Sequence, residues 1–102
     1  FPRSNLHSLW DSGLIEANGI DEQQMLSRLE RTAAARDTRP LTSGSVADWV
    51  LESHDIARDF VYPRLSAWLF ITPGYASDAE PVIEEQLLRA GVRLAAVLER
   101  AL

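Results

Sequence analysis

Apolar positions along the chain recur at helical intervals and are separated by short segments carrying glycine, proline or small polar residues. No pair of stretches alternates as an antiparallel strand pair would. Residues 5–16 read as a first helical stretch, with Ser4 or Asn5 able to cap it and Asn18-Gly19 as its stop. Asp21 and Gln24 have capping-box spacing and open a second helix, whose apolar stripe is Met25, Leu26, Leu29 and Ala33. Residues 37–44 read as a loop, with Pro40 barring any helix that runs into it. A third helix begins at Ser45, with Asp48 at its third position and Trp49, Val50, Ile56, Ala57, Phe60 and Val61 on its apolar side. Pro63 ends or bends it. Residues 64–71 are apolar and short, and periodicity does not decide between a helical turn and an extended segment.

Pro73-Gly74 reads as a turn, and the last helix is predicted from a Ser77–Glu80 capping box. Ile83, Leu87, Ala90, Leu94 and Leu98 then share one face. Gly91 inside that helix costs about 1 kcal/mol relative to alanine, which implies the close approach of another helix. The pattern predicts an all-α fold with no internal repeat.

A length of 102 residues allows one domain at most, and 46% hydrophobic with 25% charged residues is an ordinary globular balance. No apolar run approaches the ~20 residues of a membrane span. There is no cysteine, which removes disulfide scaffolds, thiolate metal sites and thiol nucleophiles. All ten basic residues are arginine and the net charge is −5. An acidic chain does not hold nucleic acid by surface charge, so any such role needs another source of positive charge. The chain begins at Phe1 with no signal-peptide pattern, and reads as a processed or partial form.

Few residues invite chemistry. His7 and Asp11 are four apart on the first helical stretch, a spacing that places an imidazole nitrogen and a carboxylate oxygen on one helix face. Zinc accepts both at about 2.0–2.2 Å. Taken alone, the pair reads first as solvated or capping, and two ligands are too few for a catalytic zinc, which takes about three from the protein. Trp10 falls on another face and is expected to pack that helix onto the body. His54, the other histidine, is expected on the polar side of the third helix. Asp78, Glu80, Glu84 and Glu85 read as solvated carboxylates near a helix start. Trp49, Trp68 and Tyr75 lack interleaved basic residues and read as core rather than as base-stacking platforms. No nucleophile elbow, phosphate loop or dinucleotide fingerprint is present.

The segment Asn5-Leu6-His7-Ser8-Leu9-Trp10-Asp11-Ser12-Gly13-Leu14-Ile15 resembles the Asn-Leu-His-Ser-x-Trp-Asp segment of the zinc-dependent S-one/P-one nuclease family. Trp49, Glu52-Ser53, Ala57 and Val61-Tyr62-Pro63 are similar to that family's Trp-x-x-Glu-Ser…Val-Tyr stretch. Gln86…Ala90-Gly91-x-Arg93-Leu94-Ala95…Leu98 is similar to its C-terminal helix. The resemblance runs in order over nearly the whole chain. It implies the C-terminal part of a single nuclease domain spanning residues 1–102, with the helical fold shared with zinc-dependent phospholipases C and no separate second domain.

The resemblance also implies a cluster of three zinc ions in the full-length protein, for which this chain supplies only His7 and Asp11, with no other catalytic residue. The implied activity is hydrolysis of single-stranded DNA or RNA to 5′-nucleotides, with 3′-nucleotidase activity, through metal-activated water. The implied substrates are single-stranded nucleic acid and 3′-nucleotides, the implied partner is the N-terminal part of the same domain, and the implied location is secreted or periplasmic, with no membrane partner. Gly13 stands where some fungal members carry an asparagine that helps hold the base. Two alternatives stay open: a zinc phosphodiesterase of phospholipase C type, and a non-catalytic helical interaction domain.

Overall fold

A computed structural model of the chain describes residues 9–63 and 73–102. The described residues are all-α. A π turn (Leu9–Gly13) leads into the single-turn α1 (Leu14–Ala17), followed by α2 (Glu22–Ala35), a 3₁₀ turn (Arg39–Thr42), α3 (Val46–Ile56), a second π turn (Ala57–Val61) and the 29-residue α4 (Pro73–Ala101). Both predicted capping boxes form. The Asp21 carboxylate accepts the Gln24 backbone N–H at 2.7 Å while the Gln24 side chain accepts that of Asp21 at 3.0 Å. Ser45 Oγ accepts the Asp48 N–H at 3.2 Å and the Asp48 carboxylate accepts the Ser45 N–H at 2.8 Å. Gly19 takes φ 68°, the left-handed conformation that stops α1 without a steric penalty.

Three expectations need correction. The first and third helical stretches are not uniformly α-helical, because Leu9–Gly13 and Ala57–Val61 are wound as π turns, one residue wider per hydrogen-bonded ring. The last helix starts at Pro73 rather than Ser77. Proline suits a first helical turn, so Pro73-Gly74 is helix rather than turn, and Ser77 is already helical and does not cap. Pro81 consequently lies inside α4. Gly91 has no close neighbour among the described residues, since a side-chain carbon there would meet nothing within 4 Å. Residues 64–71, including Trp68, lie outside the described residues.

The main core is small. Leu14, Ile20, Met25, Tyr75, Ala76, Ala79 and Ile83 form it, with Trp10, Ile15, Leu29 and Phe60 packed against its edge. Its spine is α4, on which α1, α2 and the 3₁₀ turn pack. The stripe predicted for α2 is only half used, because Met25 is buried and Leu26 is 54% exposed. In α3 no residue is fully buried, and Val50, predicted on its apolar side, is exposed.

No Cα of α3 comes within 8 Å of a Cα of α4, so long side chains make the connection. Arg93 forks onto Glu52 with two bonds of 2.9 Å, and Arg89 reaches the same carboxylate at 3.0 Å. Arg93 also donates Nε–H to the Leu41 carbonyl at 2.8 Å and lies 5.0 Å over the Trp49 ring. Arg28 ties α2 to Glu80 and Glu84, and Arg36 ties it to Glu85.

The Arg93 hydrogen bonds, helped by Arg89, lower the Glu52 pKa from 4.5 to about 2. A depressed carboxylate contributes stability that is full above its unfolded value and lost as pH falls through its folded value. We expect the urea midpoint to fall between about pH 4.5 and pH 2, and Glu52→Gln to flatten that part of the profile. An unchanged slope in Glu52→Gln would remove the clamp as its source. Gly91→Ala should raise stability by about 1 kcal/mol in chemical denaturation, because the position is helical and open. Destabilisation would mean that the glycine is packed against something.

Candidate metal-binding groove

The first π turn carries Trp10 and Asp11, and Trp10 holds that turn in place. Its indole N–H donates to the Tyr75 hydroxyl at 3.1 Å, and the hydroxyl donates to the Val61 carbonyl at 3.2 Å. The Trp10 ring stands edge-on to Phe60 at 6.0 Å and to Tyr75 at 6.3 Å. One tyrosine at the start of α4 therefore fixes both π turns. A second tether lies one turn on, where the Asn18 amide donates to the Leu14 and Ala76 carbonyls at 3.0 Å each. The expectation for Trp10 holds: it packs the turn on the body and leaves Asp11 facing solvent.

Between the two π turns and α4 lies a groove of about 620 Å³. Trp10, Asp11 and Ile15 form one wall. Ser53, Ala57, Val61 and Tyr62 form the second, and Val82, Gln86 and Leu87 of α4 the third. All three stretches on which the sequence resemblance rests meet here. Asp11 is the single charged side chain in the lining, and no ion pair engages it among the described residues. A second opening of about 770 Å³ continues along α3 past Ile56, Val82 and Gln86 to the Glu52–Arg89 bridge. The clamp thus lies where the groove ends.

His7 lies outside the described residues. His54 is solvent-exposed, 3.7 Å from the Asp55 carboxylate, and does not line the groove, as expected of a polar-face residue. No group of three or more His, Cys, Asp or Glu able to hold a metal ion occurs among the described residues. What the groove offers is one accessible carboxylate, Asp11, on a turn anchored by Trp10, and this does not complete a metal site among the described residues.

Two groups were misjudged from sequence. Glu80, Glu84 and Glu85 are not simply solvated, because each is half-buried and paired with Arg28, Arg36 or Arg89. Hydrogen bonding from Arg36 lowers the Glu85 pKa. Trp49 is half-buried under Arg93 rather than a core residue, with its N–H given to the Ser43 carbonyl at 3.0 Å, whereas Tyr75 is core as predicted. Sequence reasoning also missed Ser53, Tyr62 and Gln86 as groove residues. Their only signal was membership of the motif stretches, because pairing across the groove depends on tertiary packing.

A family model described as S1/P1 Nuclease matches residues 2–102. Comparison with curated proteins and with solved structures gives no match.

The Tyr75 hydroxyl makes two part-buried hydrogen bonds that join separate elements. Tyr75→Phe should therefore cost about 1–3 kcal/mol in chemical denaturation, since the Trp10 donor loses its acceptor. It should also loosen the first π turn, read as faster amide exchange at residues 9–13. Unchanged exchange there would show that the turn is held by other contacts.

Proposed function

Because the chain belongs to the S1/P1 nuclease family, we propose that it forms the C-terminal part of a zinc-dependent nuclease domain that cleaves single-stranded DNA or RNA to 5′-nucleotides and removes 3′-phosphates. Hydrolysis of phosphodiesters is the family's reaction class, and the finer assignment is ours. The observation that carries it is the Asp11 carboxylate, accessible, without an ion pair among the described residues, and set beside a groove of ligand size.

In this reading His7 and Asp11 hold one zinc ion, and the remaining ligands come from sequence outside these 102 residues. Bound zinc supplies Lewis-acid polarisation of a phosphoryl group and a water of lowered pKa. The chain's own contribution is positional. Trp10, held by Tyr75 and Phe60, keeps the Asp11 backbone in place before any metal arrives, which lowers the ordering cost of binding. The same reading accounts for an acidic protein acting on nucleic acid, since the metal ions supply the positive charge that the surface lacks. Export to the periplasm or the outside is part of the proposal, and no described helix is long and apolar enough to cross a membrane.

In the full-length protein, His7→Ala and Asp11→Ala should each lower zinc content and turnover of single-stranded DNA by about tenfold or more, measured by elemental analysis and by release of acid-soluble nucleotide. Normal zinc and normal turnover in both variants would remove the ligand assignment. Turnover of phosphatidylcholine without turnover of single-stranded DNA would replace the nuclease by a phospholipase C-type phosphodiesterase.

A further inference from the structure

Asn18-Gly19 closes α1, and it also sets a side-chain amide next to an unshielded backbone nitrogen. Glycine has no side chain to crowd that nitrogen. Gly19 is exposed, and a side-chain carbon there would meet nothing within 4 Å. The chain has one other asparagine, Asn5, and the branched side chain of Leu6 follows it. Asn18 is therefore the position where a backbone amide most readily attacks a neighbouring carboxamide.

The folded chain opposes this attack at both reacting groups. The Gly19 N–H donates to the Glu16 carbonyl at 3.0 Å. The Asn18 carboxamide donates to the Leu14 and Ala76 carbonyls at 3.0 Å each, which ties it to α1 and to α4. Ring closure needs the Gly19 nitrogen eclipsed with the Asn18 Cβ. At the ψ of −1° found here it is eclipsed with the Asn18 backbone nitrogen instead. Reaction thus requires the carboxamide to leave both carbonyls and the backbone to turn. The opening can be local, because α1 is a single turn of four residues and so short a helix is held only by its packing and caps.

We propose that Asn18-Gly19 is a site of spontaneous self-modification, gated by the tether from α1 to Ala76, and that its product cannot re-form the tether. In the opened chain the Gly19 nitrogen gives its proton to solvent and bonds to Asn18 Cγ. The side-chain nitrogen takes up a proton and leaves as ammonia, which closes a succinimide ring. Water then breaks one of the two C–N bonds of the ring. Cleavage at Cγ leaves an aspartate. Cleavage at the main-chain carbonyl leaves an isoaspartate, with the chain rerouted through the former side chain. The sum is amide plus water to carboxylate plus ammonium, with no redox change. A carboxylate has no proton to donate, so the Leu14 and Ala76 carbonyls lose their donor and face a negative charge. The π turn carrying Asp11 runs directly into α1, so the loosening reaches it. This inference stands apart from the nuclease reading.

The test ages the full-length protein at mildly alkaline pH, folded in buffer and unfolded in urea. Peptide mass mapping follows conversion of amide to acid at position 18, and fragmentation separates aspartate from isoaspartate. Conversion should be at least about tenfold slower in the folded protein, because the hydrogen bonds of the tether must open together first. The converted folded protein, separated by ion exchange, should show faster amide exchange at residues 9–17 and a lower urea midpoint. Asn18→Asp, which carries one of the two products from the start, should show the same changes if it folds. Equal rates in buffer and urea overturn the gating. No conversion at position 18 in urea overturns the site itself. Unchanged exchange and midpoint in the converted wild-type protein overturn the consequence for α1, whatever the variant does.

Discussion

The Glu52 carboxylate holds this structure open and together at once. It receives a two-pronged bond from Arg93 and a third bond from Arg89, and it does so between helices whose Cα atoms never come within 8 Å of one another. A leucine at position 52 could not span that gap, and a lysine in place of Arg93 would offer a single point charge where a fork is needed. Because the pair is partly shielded from water, each bond is stronger than an exposed ion pair, and the unpaired partner of a broken bond carries a larger penalty. The Trp49 ring under Arg93 and the Leu41 carbonyl accepting its Nε–H fix the guanidinium plane. The fork therefore sets the separation of α3 from α4, and with it the width of the openings that run between them.

At the far end of those openings the same division of labour recurs with uncharged groups. Tyr75 couples the two π turns through one hydroxyl, and the Trp10, Phe60 and Tyr75 rings close the space behind it. An ordinary α-helical register through residues 9–13 and 57–61 would aim Trp10 and Phe60 differently. The widened turns accompany the convergence of both rings on Tyr75 while Asp11 stays in solvent. The contacts that hold the fold at this end therefore also hold the turn carrying Asp11.

Helix starts and class were legible from sequence because they depend on local rules. Asp21 with Gln24 and Ser45 with Asp48 close their boxes within four residues, and Gly19 needs only its own freedom of φ. The Ser77–Glu80 box failed because an equally local signal, Pro73 in a first turn, lay upstream and won. Features that depend on distant partners were not legible. Glu85 looks solvated until Arg36, 49 positions away, is seen to reach it. Gly91 signals a close approach that no described residue makes. The π turns have no periodicity signature over five residues. Of the candidate site, Asp11 and its anchoring by Trp10 could be read in advance, whereas the walls contributed by Ser53, Tyr62 and Gln86 could not.

Four of the ten arginines serve the same kind of geometry. Arg28, Arg36, Arg89 and Arg93 each hold a carboxylate across elements, and Arg93 adds a carbonyl and a ring face that an ammonium could not serve simultaneously. These guanidinium groups are engaged inside the molecule, so their number says nothing about affinity for phosphate. The net charge is −5 and the one charged residue lining the groove is a carboxylate, so the groove itself offers a polyanion no side-chain cation among the described residues. In the proposed reading, cations held at the Asp11 end supply that attraction.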